Sequence, residues 1–310
     1  MPTLKEIKGR IASVKSTLKI TSAMKLVSSA KLRKAQKAIE AMRPYEAQLQ
    51  RMLTVVSGRE GDVFSGASAF FSATENTSLS AAAENSSASL PTAIVAVASN
   101  SSLCGGFNAN VIAKVRSVRQ GGDVVYSVGR KMADAMRKDG FPSPQDFTAL
   151  AEHPEYGPAS ALVDRLAEDL EEGRIGQVLL VYTHFVSTAR QEPVVEVLMG
   201  QREGDAFPGT SAPFSVTGNA SLPDAEEAII IEPSRKELLA ALEPKVLKLK
   251  LYAALLDSAA AEHAARTVAM QTATDNGENL LQELTLQYNK GRQQKITNEI
   301  LDLAGGQAAK

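Results

Sequence analysis

From Leu242 to Tyr288, apolar or small residues recur in alternating steps of three and four: Leu242, Val246, Leu249, Ala253, Leu256, Ala260, His263, Thr267, Met270, Thr274, Gly277, Leu281, Leu284, Tyr288. This is the heptad spacing of a seam along which one helix lies against another. A single helix from Lys245 to Leu303 would be roughly 90 Å long at about 1.5 Å per residue. It is therefore expected to run beyond any globular part of a 310-residue chain. The run Ser234-Arg235-Lys236-Glu237 has the form of a capping box, and Pro244 is expected to end a short first helix and open the long one. The middle of the seam holds Ala, His, Thr and Gly where a self-sufficient coiled coil prefers Leu and Ile. Such residues bury little area, and at about 25 cal/mol per Å² the pairing is expected to be marginal unless another molecule encloses it.

The N-terminal end carries a matching signal. Thr3-Leu4-Lys5-Glu6 reads as a capping box, and Leu4, Ile7, Ile11, Val14 and Leu18 form a stripe. The stripe continues less cleanly through Met24, Val27, Ala30, Ala35 and Ile39; Pro44 is expected to kink or break it, and Leu49, Met52, Leu53 and Val56 to resume it. Over residues 1–43, eleven Lys and Arg stand against Glu6 and Glu40. A cationic helix face suits an acidic partner. Readers of nucleic acid usually add aromatic or Asn/Gln contacts, and this segment has one Gln, Gln36, and no aromatic residue, which favours a protein.

Between the two helical ends the pattern changes. Residues 57–90 are rich in Ser, Ala and Gly and read as a connector, with Phe70-Phe71 as an apolar patch. Residues 91–232 alternate strand and helix signals: strands at Pro91–Ala98, Asp123–Val128, Gln177–His184, Pro193–Met199 and Ala228–Ile231, and helices at Asn108–Arg119, Arg130–Asp139 and Ser160–Glu171. Such alternation predicts a parallel, Rossmann-like α/β sheet covered on both faces. The organisation expected is a helix over 1–56, the connector over 57–90, a central α/β domain over 91–232 and a second helical arm over 233–310.

The chemistry-bearing residue types are sparse. Cys104 is alone, so no disulfide can form within the chain; His153, His184 and His263 are far apart, and no Cys or His pair has metal-ligand spacing. The turn Ser99–Asn108 contains Gly105-Gly106 after the first strand, but the third glycine of a dinucleotide fingerprint is missing and Asp123 opens the second strand instead of closing it. No GxxxxGK[ST] occurs, and no catalytic constellation can be assembled. Neither an apolar secretory leader nor an 18-residue uncharged apolar run is present, and the net charge of −1 draws the chain to neither nucleic acid nor an acidic membrane. Two other readings remain open at this point: an α/β nucleotide-binding enzyme with helical dimerisation arms, and a basic coiled-coil nucleic-acid binder.

Three segments carry a family resemblance. They are Ile20-Thr21-Ser22-Ala23-Met24-Lys25-Leu26-Val27-Ser28-Ser29-Ala30-Lys31-Leu32, then Leu103-Cys104-Gly105-Gly106-Phe107-Asn108, and finally Glu262-His263-Ala264-Ala265-Arg266-Thr267-Val268-Ala269-Met270 with its continuation through Tyr288 to Arg292-Gln293. In this order along the chain, they resemble the gamma subunits of F-type ATP synthases. The resemblance implies an α/β fold with an antiparallel coiled coil of the two terminal helices, rising through a hexamer of alpha and beta subunits. The central domain would sit as a foot against the epsilon subunit and the membrane ring of c subunits. It implies a non-catalytic rotor shaft that couples proton flow to ATP synthesis, with no cofactor and no metal of its own. The chain would be peripheral, on the cytoplasmic face of the bacterial inner membrane, touching the membrane only through partners. It also implies rotor–stator contacts at Met24, Lys25, Arg266, Arg292 and Gln293, with Lys25 and Arg266 pointing outward. One departure is visible: where the family usually has Asp-Arg-Gly, this chain has Asn100-Ser101-Ser102.

Overall fold

The computed structural model describes residues 3–57, 90–200, 232 and 234–307. Most of the Ser/Ala-rich connector and the expected strand Ala228–Ile231 lie outside them. In chain order the elements are α1 (Leu4–Ser57), β1 (Thr92–Val97), α2 (Phe107–Val118), β2 (Val124–Val128), α3 (Arg130–Lys138), α4 (Thr148–Glu152), α5 (Tyr156–Glu171), β3 (Gln177–Phe185), β4 (Gln191–Met199) and α6 (Arg235–Gln307). Thr3 Oγ1 accepts the Glu6 amide at 3.3 Å and Glu6 Oε2 accepts the Thr3 amide at 3.0 Å, so the first capping box forms in full. Ser234 Oγ accepts the Glu237 amide at 3.2 Å and starts α6.

Two expectations about the helices are corrected. Pro44 does not interrupt α1, and Pro244 does not divide α6. Each proline removes one helical hydrogen bond and costs about 3 kcal/mol, but both rings face solvent while their neighbours are held. Leu49, Leu53 and Val56 of α1 pack with Leu242, Val246 and Leu249 of α6, across the turn that Pro244 would have broken.

The chain divides into two compact units, residues 1–30 with 266–310 and residues 31–265. The first is a pair of antiparallel helices. Leu4 lies against Gly291, Leu18 against Gly277, and Thr274 Oγ1 donates to Thr21 Oγ1 at 3.0 Å. A step forward on α1 is met by the same step backward on α6, so no register shift accumulates. The glycines have a steric role here. A Cβ on Gly277 would come within 2.7 Å of Leu18 Cδ2, and one on Gly291 within 3.3 Å of Leu4 Cδ2.

The second unit is built on a four-stranded sheet of order β2-β1-β3-β4. β2, β1 and β3 are parallel, and β4 is antiparallel to β3. The all-parallel expectation fails at β4 because only Val186–Arg190 separates it from β3, too short for a crossover. Ser187 and Arg190 close that hairpin by exchanging backbone hydrogen bonds at 3.0 and 3.2 Å. β1 is buried on both faces, as its unbroken apolar run requires. Ala93, Val95 and Val97 face a layer made by α5 (Leu162, Val163, Leu166) and by α6 itself (Leu247, Leu251, Leu255). Ile94, Ala96 and Ala98 face α2 (Val111, Val115) and α3 (Met132, Met136). The long C-terminal helix is thus one of the layers of the α/β unit.

Gly129, between β2 and α3, has φ 99°, and a Cβ there would come within 2.2 Å of the Ala98 carbonyl oxygen. Gly129→Ala is expected to destabilise the sheet by about 2–4 kcal/mol, since backbone cannot yield as a side chain can. Gly140→Ala, at φ 88° with open space around it, should cost only about 1–2 kcal/mol. Thermal unfolding of both variants checks the contrast. For the helix pair, Gly277→Val should weaken the seam by about 1–3 kcal/mol through Leu18. Hydrogen exchange at Leu281 and Leu284 would read it, and unchanged protection there would refute it.

Candidate partner-binding surface

The first unit shelters its seam but leaves much apolar surface outside. All the seam residues expected on α6 are buried or half-buried, and so are Leu4, Ile7, Ile11, Val14 and Leu18 on α1. Yet Ile20, Leu26 and Val27 of α1 and Leu286, Ile300 and Leu301 of α6 are exposed, Leu286 to 70% and Leu26 to 68%. Lys5, Lys8, Arg10, Lys15 and Lys19 are exposed on α1 as well. A helix pair that turns large aliphatic residues to water beside a row of cations has the chemistry of an interaction surface.

The residues expected to make partner contacts divide among several environments. Met24 and Lys25 are half-buried, next in sequence to the exposed Leu26 and Val27. Arg292 and Gln293 are exposed, close to Gly291 and therefore beside the first turn of α1. Arg266 departs from expectation: it is only 8% exposed, so it does not point outward. Continuing the register of Leu18 with Gly277 and Thr21 with Thr274 brings Met24 toward Gln271 and Arg266 toward Ser29, so these sites do not face one another. Val27 and Ala30, read as seam residues, are exposed, whereas Thr21, Met24 and Ser29 are half-buried and Ser28 is buried. The outward Ile20, Leu26 and Leu286 were readable in principle, as large apolar residues falling off the three-four step.

In the second unit, the sheet reverses its strand order between β1 and β3. Doubly wound sheets bind ligands at such a point, in the crevice outside the strand C-termini. Here the chain fills it. Cys104 and Phe107, from the turn after β1, pack with Ala261 and Ala265 of α6 and with Phe185, the last residue of β3. The turn is wound tightly enough that Leu103 adopts φ 66°, outside the usual range of a non-glycine residue. Asn108 ties it down: its Oδ1 accepts the Ser99 amide at 3.1 Å and its Nδ2 donates to Ser99 Oγ at 2.8 Å. Asn100, at the departure from the family pattern, donates to the Thr148 carbonyl at 2.8 Å and accepts the Arg130 amide at 2.9 Å, capping α3.

Charged groups cluster where α6 lies on the sheet. Lys250 Nζ is 3.0 Å from Glu196 Oε2 and donates to the Val197 carbonyl at 3.2 Å; burial holds its ammonium below the usual lysine range. Tyr182 donates to Glu196 at 2.9 Å, and burial pushes its phenol up, with Glu196 adding to the effect. Burial likewise raises Glu46, on the adjacent stretch of α1. His184 Nδ1 and Asp257 Oδ2 lie 2.5 Å apart, and this hydrogen bond holds the imidazole above its usual range. Each group has a charged or hydrogen-bonding neighbour, and none is placed as a nucleophile beside a base.

Among the described residues no group of three or more His, Cys, Asp or Glu could hold a metal ion, and no helix is long and apolar enough to cross a membrane. The ATP synthase family model (ATP-synt) matches residues 3–309. The ATP synthase gamma chain of Phocaeicola vulgatus is 44% identical over 318 residues, covering 100% of both chains. That of Heliobacterium modesticaldum is 36% identical over 100% of this chain and 99% of its own. Among solved structures, a chain of the Euglena gracilis mitochondrial ATP synthase OSCP/F1/c-ring assembly aligns with TM-score 0.63 at 17% identity, covering 99% of this chain and 94% of that one. A chain from the central stalk/c-ring of the Tetrahymena thermophila enzyme aligns with TM-score 0.53 at 18% identity, covering 82% and 99%. With a family model that spans the described chain and full-length relatives well above the level at which family is shared, this chain belongs to the ATP synthase gamma chain family.

Proposed function

We propose that the chain is the central rotor shaft of an F-type ATP synthase, transmitting rotation between a proton-driven ring of c subunits and the catalytic sites of an alpha/beta hexamer. The observation that carries this reading is the antiparallel pair itself. Its seam is held in strict register by small residues, while Ile20, Leu26 and Leu286 face outward where a close-fitting sleeve could cover them. Covering such surface adds roughly 25 cal/mol per Å² of stabilisation and makes up for the area that the small seam residues fail to bury. The exposed cations of α1 suit acidic segments of the surrounding subunits. The filled crevice between β1 and β3 fits a subunit that takes no nucleotide, so catalysis belongs to the alpha–beta interfaces and this subunit is non-catalytic. The α/β unit is the foot, against epsilon and the c ring. The subunit is peripheral, held to the cytoplasmic face of the bacterial inner membrane through its partners. Met24, Lys25, Arg292 and Gln293 are the rotor–stator contacts in this reading, while Arg266, buried toward Ser29, holds the helix pair together.

Co-expression with alpha and beta subunits should yield a complex that hydrolyses ATP, while the isolated chain should hydrolyse none. Turnover that tracks the concentration of the isolated chain, or failure to co-purify with alpha and beta, would overturn the proposal. Within the reconstituted complex, Lys25→Ala and Arg292→Ala should cost less than about 1 kcal/mol of chain stability yet lower the ions pumped per ATP. Arg266→Ala, at a buried position, should lower stability more, by about 2–4 kcal/mol. Unchanged pumping in both the Lys25 and the Arg292 variants would remove those residues from the interface.

A further inference from the structure

We infer that His184 and Asp257 form the joint by which the sheet holds α6 against turning about its own axis, so that this pair sets how much torque passes between the α/β unit and the long helices. The inference rests on the rotor reading above and names the residues within it that carry the load.

From Val246 to Ala265 no residue of α6 is exposed, so the helix is surrounded along this stretch. Much of the surrounding contact is smooth. Ala260, Ala261 and Ala264 meet Leu32, Ala35, Cys104 and Phe107. Apolar burial is non-directional, and a face of alanines offers little for neighbouring side chains to catch on. Along the alanine stretch, beyond the leucines Leu247, Leu251 and Leu255 that interlock with the layer on the sheet, resistance to rotation falls to directional bonds. Charged pairs that tie this stretch to its surroundings include Lys248 with Asp164 of α5 at 2.6 Å, Lys250 with Glu196 of β4 at 3.0 Å, and Asp257 with His184 of β3 at 2.5 Å. The two lysines reach their partners on long flexible stems, and Asp164 is half in water. His184 and Asp257 are short, stiff side chains, about one-fifth exposed or less. Asp257 is also fixed from a second direction, since the Phe185 amide donates to both of its oxygens at 3.3 Å. The last turn of strand backbone and a strand side chain thus close on one carboxylate of the helix.

The pair gives the joint a pH dependence. His184 is faced by Asp257 from α6 and by Glu196 and Glu192 from β4, while Glu196 is also engaged by Lys250 of α6 and Tyr182 of β3. The carboxylates favour the imidazolium, against a smaller opposing effect of burial. A histidine whose folded value is raised contributes its full stabilisation below about pH 6.5 and loses it as pH rises through the folded value. The grip is therefore firm on the acid side and loosens on the alkaline side.

The test uses the full chain twice. Histidine-labelled chain has only His153, His184 and His263 to resolve. The His184 signal should titrate above its ordinary value in the wild type and move down in Asp257→Asn. In vesicles carrying the complex with alpha, beta, epsilon and the c ring, ions pumped per ATP are measured from about pH 6 to about pH 9. The wild-type ratio should fall through the His184 titration. Asp257→Asn and His184→Gln should lower the acid-side ratio at least about twofold and flatten the profile, and His153→Gln should leave it unchanged. An assembled Asp257→Asn complex with wild-type ratio and slope overturns the inference. So does a His184 that titrates at the same pH in wild type and Asp257→Asn, a readout that stands even if the variant does not assemble. A wild-type complex that hydrolyses ATP without pumping would instead defeat the rotor reading, which keeps the two failures apart.

Discussion

No residue of α6 from Val246 to Ala265 is exposed, and much else in the α/β unit follows from that constraint. A helix buried all round is expected to be apolar all round, and this one largely is. It serves two neighbours at once. Val246 and Leu249 are turned to α1, while Leu247, Leu251 and Leu255 are turned to the sheet. Wherever the sequence puts a charge on such a helix, the surroundings must supply a partner, because an unpaired buried charge costs several kcal/mol. Asp164, Glu196 and His184 occupy the positions that answer Lys248, Lys250 and Asp257. The polar residues of the sheet and of α5 are in this sense set by the helix that lies on them.

The same helix explains why a Rossmann-like sheet here need not be a nucleotide binder. The parallel strands, the turn after β1 with Gly105-Gly106 and the helix that follows it give the sheet the crevice in which doubly wound folds hold ligands, although the dinucleotide fingerprint is incomplete. What differs is the occupant of the crevice. Ala261 and Ala265 sit against Cys104, Phe107 and Phe185, so the space that a ligand would need is taken by small side chains of the protein's own shaft. Alanine at these positions lets the helix backbone come close to the strand ends, which ties the small-residue composition of the seam to the loss of an open cleft.

The α6 seam was legible because its polar members, His263, Thr267 and Thr274, still fall on the three-four step and are small enough to be half-buried there. On α1 the step is harder to follow after Leu18, because three seam positions are polar: Thr21, paired with Thr274; Ser28, whose hydroxyl bonds back to the Met24 carbonyl at 2.8 Å; and Glu46. Val27 and Ala30, apolar but outward, drew the reading off the true line. The prolines misled for a different reason. Their local cost is real, and packing on the opposite face, across Leu49, Leu53, Leu242 and Val246, outweighs it. Among the described residues of the centre, the strands and main helices were recovered to within a few residues, apart from the short α4. The antiparallel run of β4 and the buried setting of Arg266 depend on neighbours that lie far away in sequence, and local pattern carries no record of them.

The locked register of the helix pair also limits how such a chain can change its length. Each residue turns a helix by about 100°, so deleting a single one between Leu4 and Leu18 would swing Leu4 away from Gly291 and carry Thr3 into its place. Only a change of a whole heptad, or a matched change on both helices, keeps Leu18 over Gly277 and Thr21 against Thr274. Short of a whole heptad, the two helices, though separated by most of the sequence, gain or lose residues together.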